Sequence, residues 1–414
     1  MVPIVDPDAE APQVSLGMAQ MTAMGFRGEN MAQLGVQLLD RTFKDPDDAA
    51  ALLDVGMLHL LLGNLDMGLD YQRQALAKRQ IFRDGTTNVA GDGLRLLALA
   101  APGDLMANVP VSFLLEGSDI RLDTLYVVPG VDLPARVPEH DVAMVVVGES
   151  EANRPILERI AGFIDQWPRR PVLNDPRRTL GLSRDGVAAN MAGAEGVCIP
   201  GTVRIDADRL ARLAHGEEDL RAVLADGSYP LIVRPRDSHA GKGLLKIDDA
   251  AALAAYLQEW PTEEYYLSSF VDYSGADDGQ FCKYRIALVD GRPYISHMAV
   301  SSRWMVHYLN ADMKENQAKR DREAEAFATF DEDFARRHKV AFDNLCDRIG
   351  LDYFVIDCAE TRDGRLLLFE VDTAMIVHAM DSREIYPYKA PKMHCIFRAF
   401  QDMLRDAAGR VSVG

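Results

Sequence analysis

The chain is short of cysteine, of long apolar runs and of positive charge, and each shortage excludes something. Its five cysteines (Cys198, Cys282, Cys346, Cys358, Cys395) are scattered, with no CxxC pair and no metal-ligand spacing. That argues against a disulfide framework or a zinc centre and for reduced thiols in a cytoplasmic protein. No uncharged apolar stretch reaches the 18 residues of a membrane span, and the start, Met1-Val-Pro-Ile-Val-Asp-Pro-Asp8, has neither a basic region nor an apolar core. Neither export nor membrane anchoring is therefore expected. Lys and Arg number 45 against 63 Asp and Glu, a formal charge of −18. Nucleic acid and anionic membrane are poor partners for such a surface, although a local basic pocket survives within it. A Walker loop, a Rossmann turn and a nucleophilic triad are also missing.

With 414 residues, 48% hydrophobic and 26% charged, the chain is a globular protein of two to three domains. Residues 50–76 have the pattern of one tetratricopeptide-type helical pair, with Gly56, Gly63, Gly68 and Ala75 where two helices cross closely and Gly63-Asn64 at the turn. A solenoid needs about three repeats and a second is not evident. The expectation is a small helical domain, either a cap on the body or a docking surface for a protein partner or a second copy. Methionines 18, 21, 24 and 31 recur at helical spacing and read as core filler. Beyond Gly103, Val109 to Leu115, Thr124 to Val128 and Asp141 to Val147 read as strands and Glu151 to Gln166 as a helix, an α/β layer. Leu210 to Leu224, Asp248 to Glu259, Arg320 to Ile349 and His394 to Ala408 read as amphipathic helices.

Two hairpins carry the chemistry. Tyr353-Phe-Val-Ile-Asp-Cys358 and Leu366-Leu-Leu-Phe-Glu-Val-Asp372 are strand-like runs joined by Arg362-Asp-Gly-Arg365. With Asp363-Gly364 as a two-residue loop, Arg362 faces Arg365, Asp357 falls opposite Glu370, and Asp372 shares their face. Opposed carboxylates repel unless a cation lies between them. The trio is either a Mg²⁺ site or a solvated hairpin face. Upstream, Leu231 to Val233 ends in Arg234, a small-residue loop runs to Gly243, and Leu244 to Ile247 returns. Gly241 and Gly243 allow close backbone approach, and their N–H groups, with Lys242 and His239, suit a polyphosphate.

These hairpins, in this order and about 120 residues apart, closely resemble the ATP-grasp superfamily over roughly residues 107 to 405. In that resemblance Arg234 takes the place of the lysine in a V-K-P strand, and His239-Ala-Gly-Lys-Gly243 that of the phosphate loop. Asp357, Glu370 and Asp372 take that of a D…E-x-N metal trio. Glu264-Tyr-Tyr-Leu-Ser-Ser-Phe-Val-Asp272 looks like the strand and hinge beside adenine, which implies Ser269, Phe270 and Val271 as cofactor-binding residues. Residues 283–295 resemble a D-x-R hairpin whose Arg285 faces substrate or phosphate. Pro171-Val-Leu-Asn-Asp-Pro176, Leu182-Ser-Arg-Asp-Gly-Val187 and Gly196-Val-Cys-Ile-Pro-Gly-Thr202 follow the N-x-P, R-D-K and G-I-x-x-P-x-T signals. Three positions depart from the pattern: Gly186 for a phosphate-binding lysine, Arg234 for the second lysine, and Asp372 for Asn.

The resemblance implies an α+β fold: a helical segment over 1–104, an α/β pre-grasp domain over 105–203, and an ATP-grasp domain of two α+β subdomains over 204–414. It implies ATP and Mg²⁺ as cofactors and a carboxylate–amine ligase that forms an amide through an acyl phosphate, on amino-acid or peptide substrates. A nucleotide-binding regulator and a kinase on the same fold are the alternatives. Arg285 and Arg303 are the expected catalytic contacts. Arg303 and His307 either hold substrate or are structural, and His378 either lines an acceptor pocket or fills the core.

Overall fold

A computed structural model describes residues 2–85, 93–167, 170–236, 238 and 241–410. The first layer contains β1 (Ile4–Asp6), β2 (Gln13–Ser15), β3 (Ile81–Asp84), β4 (Arg95–Ala100), β5 (Arg121–Tyr126), β6 (Arg136–Pro138), β7 (Val142–Val145) and β8 (Val172–Leu173). Six of these strands form one sheet in the order β2-β3-β5-β4-β7-β8, while β1 pairs with β6. Its helices are α1 (Gly17–Phe26), α2 (Met31–Lys44), α3 (Ala49–Leu61), α4 (Leu65–Lys78), α5 (Val111–Leu114), α6 (Arg154–Ile164), α7 (Pro176–Thr179) and α8 (Arg184–Met191). The helical pair read from the glycines is α3 and α4. A Cβ on Gly56 would lie 2.9 Å from the Gly68 carbonyl oxygen, so the two backbones touch and nothing larger fits.

The boundary expected at residue 104 does not coincide with a break in the fold. Strands β2, β3 and β4 come from the first 104 residues and pair within the same sheet as β5, β7 and β8, because backbone groups of a half-buried strand must find partners wherever the sheet supplies them. The helices are thus inserted between strands of the α/β layer. A second departure is Val111–Leu114, a helical turn where a strand was expected. Pro110 precedes it as its cap, and only Asn108 bridges to Val147 at the sheet. A proline has no N–H for a ladder, which ends the strand there.

A lobe follows the short β9 (Val197–Cys198). Strands β10 (Thr202–Asp206), β11 (Leu231–Pro235), β12 (Leu245–Ile247) and β13 (Glu264–Ser269) form an antiparallel sheet in the order β10-β13-β11-β12, covered by α9 (Ala207–Ala214) and α10 (Ala250–Glu259). The helix expected to run to Leu224 stops at Ala214, and Glu218 folds back to pair with Arg209 and Arg212. The lobe has its own core, from Leu210, Leu213, Leu231, Val233, Leu253, Tyr256, Tyr265 and Leu267.

The body is a five-stranded sheet in the order β15-β14-β16-β17-β9, with β14 (Phe281–Val289), β15 (Arg292–Ser301), β16 (Tyr353–Glu360) and β17 (Leu366–Asp372). The single helix expected over 320–349 is three: α11 (Gln317–Thr329), α12 (Phe334–Arg337) and α13 (Lys339–Ile349). The last helix, α14 (Lys389–Gly409), buries Ile396, Phe397, Phe400 and Leu404 in a core that also takes Leu96, Val142 and Met144 from the first layer and Ile286, Phe354 and Val355 from the body. Each such side chain contributes about 1.5–3 kcal/mol through its burial. First layer and body therefore share one apolar core, whereas the lobe has a separate one.

Candidate active site between lobe and body

On the body side, strand register aligns the polar groups. His297 on β15 opposes Arg285 on β14, Arg285 opposes Asp357 on β16, and Asp357 opposes Glu370 on β17, making one row across four strands. The opposition of Asp357 and Glu370 is the one expected, but it is reached differently. The loop has three residues, since Thr361 N–H donates to the Arg365 carbonyl at 2.9 Å and Gly364 N–H to Thr361 O at 2.9 Å. Gly364 sits at φ +78°, the left-handed conformation such a loop needs. That shifts the register by one residue, and a bulge between Asp357 and Cys358 shifts it back. Farther from the row, Asn174 Nδ2 donates to Tyr353 O at 2.9 Å and its Oδ1 accepts from Tyr353 N–H at 2.9 Å, pinning the start of β16 to the first layer.

The cation that opposed carboxylates require is supplied by the protein. Asp357 is 4% exposed and accepts from Lys283 Nζ at 2.9 Å and from Arg285 through Nε at 2.8 Å and Nη2 at 3.1 Å. Burial opposes its charge, but Arg285 and Lys283 outweigh it and hold the carboxyl far below the usual carboxylate range. Glu370 pairs with Arg184, from the first turn of α8. Asp372 accepts from Ala374 N–H at 2.8 Å, and burial together with Glu370 pushes its carboxyl up to about 6. Among the described residues no three His, Cys, Asp or Glu side chains are gathered as for a metal ion. The expected trio shares a face, and in this arrangement Asp357 and Glu370 are matched by cations of the chain, while Asp372 makes no ion pair among the described residues.

On the lobe side, the loop from β11 to β12 is shaped by Gly243. Its φ is +67°, and a Cβ there would sit 2.6 Å from the Pro235 ring and 3.1 Å from Trp260, so only glycine is accommodated. Gly241 also has positive φ, and Lys242 between them is exposed. His239 lies outside the described residues. Arg234, at the end of β11, is 8% exposed and donates to the hydroxyl and carbonyl of Ser238. It makes no ion pair among the described residues. Burial first, and then the neighbouring Arg184, bring its pKa down to about 10, while Glu370 acts the other way. A buried guanidinium beside a second guanidinium is a costly arrangement that an anion relieves. The oxygen of Ser269, at the end of β13, is buried without a hydrogen-bond partner among the described residues. Beside it the Phe270 ring lies 4.8 Å from Lys246 Nζ and edge-on to Trp304, and the half-buried Val271 follows.

The expected site residues are thus split. Arg234, Arg285, Asp357, Glu370 and Asp372 form one connected electrostatic group. Arg303 stands apart, exposed in the segment after β15, its backbone N–H donating to Ser301 Oγ. His378 packs near Phe26 of α1 and Phe113 of α5, with ring centroids 5.7 and 6.4 Å away, so the helical segment rests on the body here. Sequence reasoning gave no role to Arg184 or Lys283. Lys283 lies two residues from Arg285 and so on the same strand face, which was a usable signal. It also missed a buried cluster beside the row. Lys389, 3% exposed, pairs with Glu323 at 3.3 Å and Asp381 at 3.2 Å, and Tyr308, its ring tilted 40° to that of His297 at 4.8 Å, donates to Glu323 at 3.1 Å. Burial and Arg285 push the His297 pKa well down, which keeps the ring neutral.

No protein-family profile matches the chain, and no curated protein does. Among solved structures it is similar to a RimK-domain ATP-grasp protein from Sphaerobacter thermophilus, with 16% identity, 75% of this chain and 99% of that chain covered, and TM-score 0.40. It is also similar to the VanG D-Ala:D-Ser ligase of Enterococcus faecalis, with 13% identity, 77% and 100% covered, and TM-score 0.45. A third is a D-alanine–D-alanine ligase from Bacillus anthracis, with 13% identity, 77% and 98% covered, and TM-score 0.43. The mixed α+β architecture is the fold class expected from the sequence.

Proposed function

We propose that this protein is an ATP-dependent carboxylate–amine ligase that works in the cleft between lobe and body. The observation that carries the proposal is Arg234, a buried cation without an acidic partner among the described residues, close enough to Arg184 and Glu370 to feel their charges. Such a site has an unmet demand for an anion, and the glycine loop beside it offers backbone N–H groups to a polyphosphate. Phosphoryl transfer needs alignment and charge neutralisation more than covalent help. A substrate carboxylate oxygen attacks the γ-phosphorus, the bond to the β,γ-bridging oxygen breaks, and ADP leaves with that electron pair. An amine then attacks the acyl carbon, loses its proton, and phosphate departs. Arg234 and Lys242 neutralise the phosphates, while Arg285, held by Asp357, meets the acyl phosphate. Ser269, Phe270 and Val271 flank the base, and Arg303 contacts the carboxylate substrate. Mg²⁺ would enter with ATP as its counter-ion.

The test is ¹⁸O transfer. Substrates are found by screening ADP release against pooled amino acids and dipeptides, and a labelled substrate carboxylate should then deliver one ¹⁸O to inorganic phosphate. A stable phosphorylated product without label in phosphate would make the protein a kinase. Nucleotide binding without release of ADP or phosphate would make it a regulator.

A further inference from the structure

The position at which the resemblance expects a phosphate-binding lysine is Gly186, and no side chain fits there. A Cβ would lie 2.7 Å from the Gly181 carbonyl oxygen and 2.8 Å from Ser183 Oγ. Ser183 caps α8, its Oγ accepting from Gly186 N–H at 3.3 Å, so that contact is part of the helix start. The cation that α8 does send into the cleft is Arg184, two residues earlier, which donates to Glu370 and at 3.5 Å to Phe369 O.

Two sets of ion pairs occupy the row, and they differ in what it takes to open them. Asp357 has a side-chain exposure of 6% and is held by two cations of 15% and 22%. Parting it from them would strand a buried carboxylate, which is costly. Arg184 and Glu370 are 24% and 34% exposed, share one contact and lie at the end of the row, so parting this half-buried pair strands less buried charge than parting Asp357 from its two cations. Beside them Arg234 repels Arg184, so an incoming polyphosphate meets two guanidinium groups that compete for one carboxylate.

We infer that Arg184 is the exchangeable cation of this cleft: in the free protein it neutralises Glu370, and an entering polyphosphate draws it away and opens Glu370 to a divalent cation. The ion that the resemblance implies is therefore excluded until nucleotide arrives. The inference rests on the ATP reading for its nucleotide half alone.

Mn²⁺ titrated into metal-free protein, followed by loss of its free-ion EPR signal, tests the ion pair without nucleotide. Arg184→Gln should take up Mn²⁺ at least about tenfold more tightly than the wild type, the scale of an ordinary coupling between sites. Arg184→Lys, which keeps the charge, should behave as wild type, and Arg184→Gln with Glu370→Gln should lose the gain. Equal Mn²⁺ affinity in wild type and Arg184→Gln, or a gain that survives removal of Glu370, would overturn the inference. A fluorescent ATP analogue in EDTA supplies the second arm, in which Arg184→Gln should weaken binding. If Mn²⁺ behaves as expected and no nucleotide binds under any condition, the ion pair stands as the bar to metal and the ATP reading falls. If nucleotide binds the two proteins equally, Arg184 is not drawn to the phosphates and the exchange is refuted.

Discussion

The two sides of the cleft hold their charges in opposite ways. On the body both acidic groups of the row have their cation, and Asp357 has two. On the lobe Arg234 is buried without an acidic partner among the described residues. The difference separates two uses of buried charge. A matched row fixes geometry, because each side chain holds its neighbour, whereas an unmatched cation stores a demand that only a ligand meets. It also sits well with the packing, since the body shares its core with the first layer while the lobe packs on itself. An element with a core of its own is free to move against its neighbour.

The largest effect that would break this comparison is on the body. Asp357→Ala leaves the half-buried Lys283 and Arg285 side by side with no counter-charge, and breaking such a clamp costs up to about 3–5 kcal/mol. Urea denaturation should record a loss of that order, and an unchanged midpoint would mean the row is not a structural unit. On the lobe the same kind of change should act the other way. Arg234→Met should leave stability equal or higher, yet lower turnover by about 10²-fold or more, as when one preorganised donor to a transferring group is lost. If Arg234→Met unfolds the protein instead, its charge is structural.

A smaller effect is expected at Gly186. A lysine there looks from the sequence like a restored phosphate contact, but its Cβ would press on Gly181 O at 2.7 Å. Thermal denaturation of Gly186→Lys should show a loss of about 1–3 kcal/mol, the scale of overpacking. Tighter nucleotide binding with unchanged stability would contradict the geometry.

Acid should pull the two aspartates of the row apart. Asp372 holds its proton up to about 6 in the folded protein against an ordinary 3.8. The folded state therefore binds more protons than the unfolded chain between these values, and stability from this group rises as pH falls through that window. Asp357 is shifted down, so its contribution is complete above pH 3.8 and disappears below it. Denaturation midpoints of wild type and Asp372→Asn compared at pH 7 and 4.5 should show a larger acid-side gain in the wild type, the remainder in the variant coming from Asp54, whose carboxyl is pushed up to about 7 by burial. The smallest effect is predicted for Arg303→Ala. Because Arg303 is exposed, its loss should change stability by no more than about 0.5 kcal/mol, and any consequence should appear as a raised KM for the carboxylate substrate.

Much of this arrangement was legible because it is local. Alternation along 353–372 and a short turn put Asp357 opposite Glu370, and the glycines at 56, 63 and 68 marked a helical pair. The same locality misled where two small irregularities cancelled: an extra loop residue and a bulge preserve the pairing that a simple two-residue turn would also have produced. Arg184 could not be assigned from sequence, since its partner lies 186 residues away, and Lys283 reaches Asp357 across 74. The domain boundary near 104 was misread because amphipathic helices between β2 and β3 look like a module, while the pairing of β2 with β3 and of β3 with β5 involves no side-chain pattern at all.

Periodicity and turn chemistry act between neighbours in the chain. By themselves they placed the hairpin of residues 353–372, the glycine loop after β11 and the carboxylates that share a face. Whether those carboxylates stand open or closed by cations depended on groups that the chain brings together only after its sheets have formed. Coulomb attraction and desolvation depend on distance in space and on burial, and neither is written in the order of the residues. The tertiary structure alone therefore decided that Asp357 is clamped, that Glu370 is held by Arg184, and that Arg234 is buried without an acidic partner among the described residues.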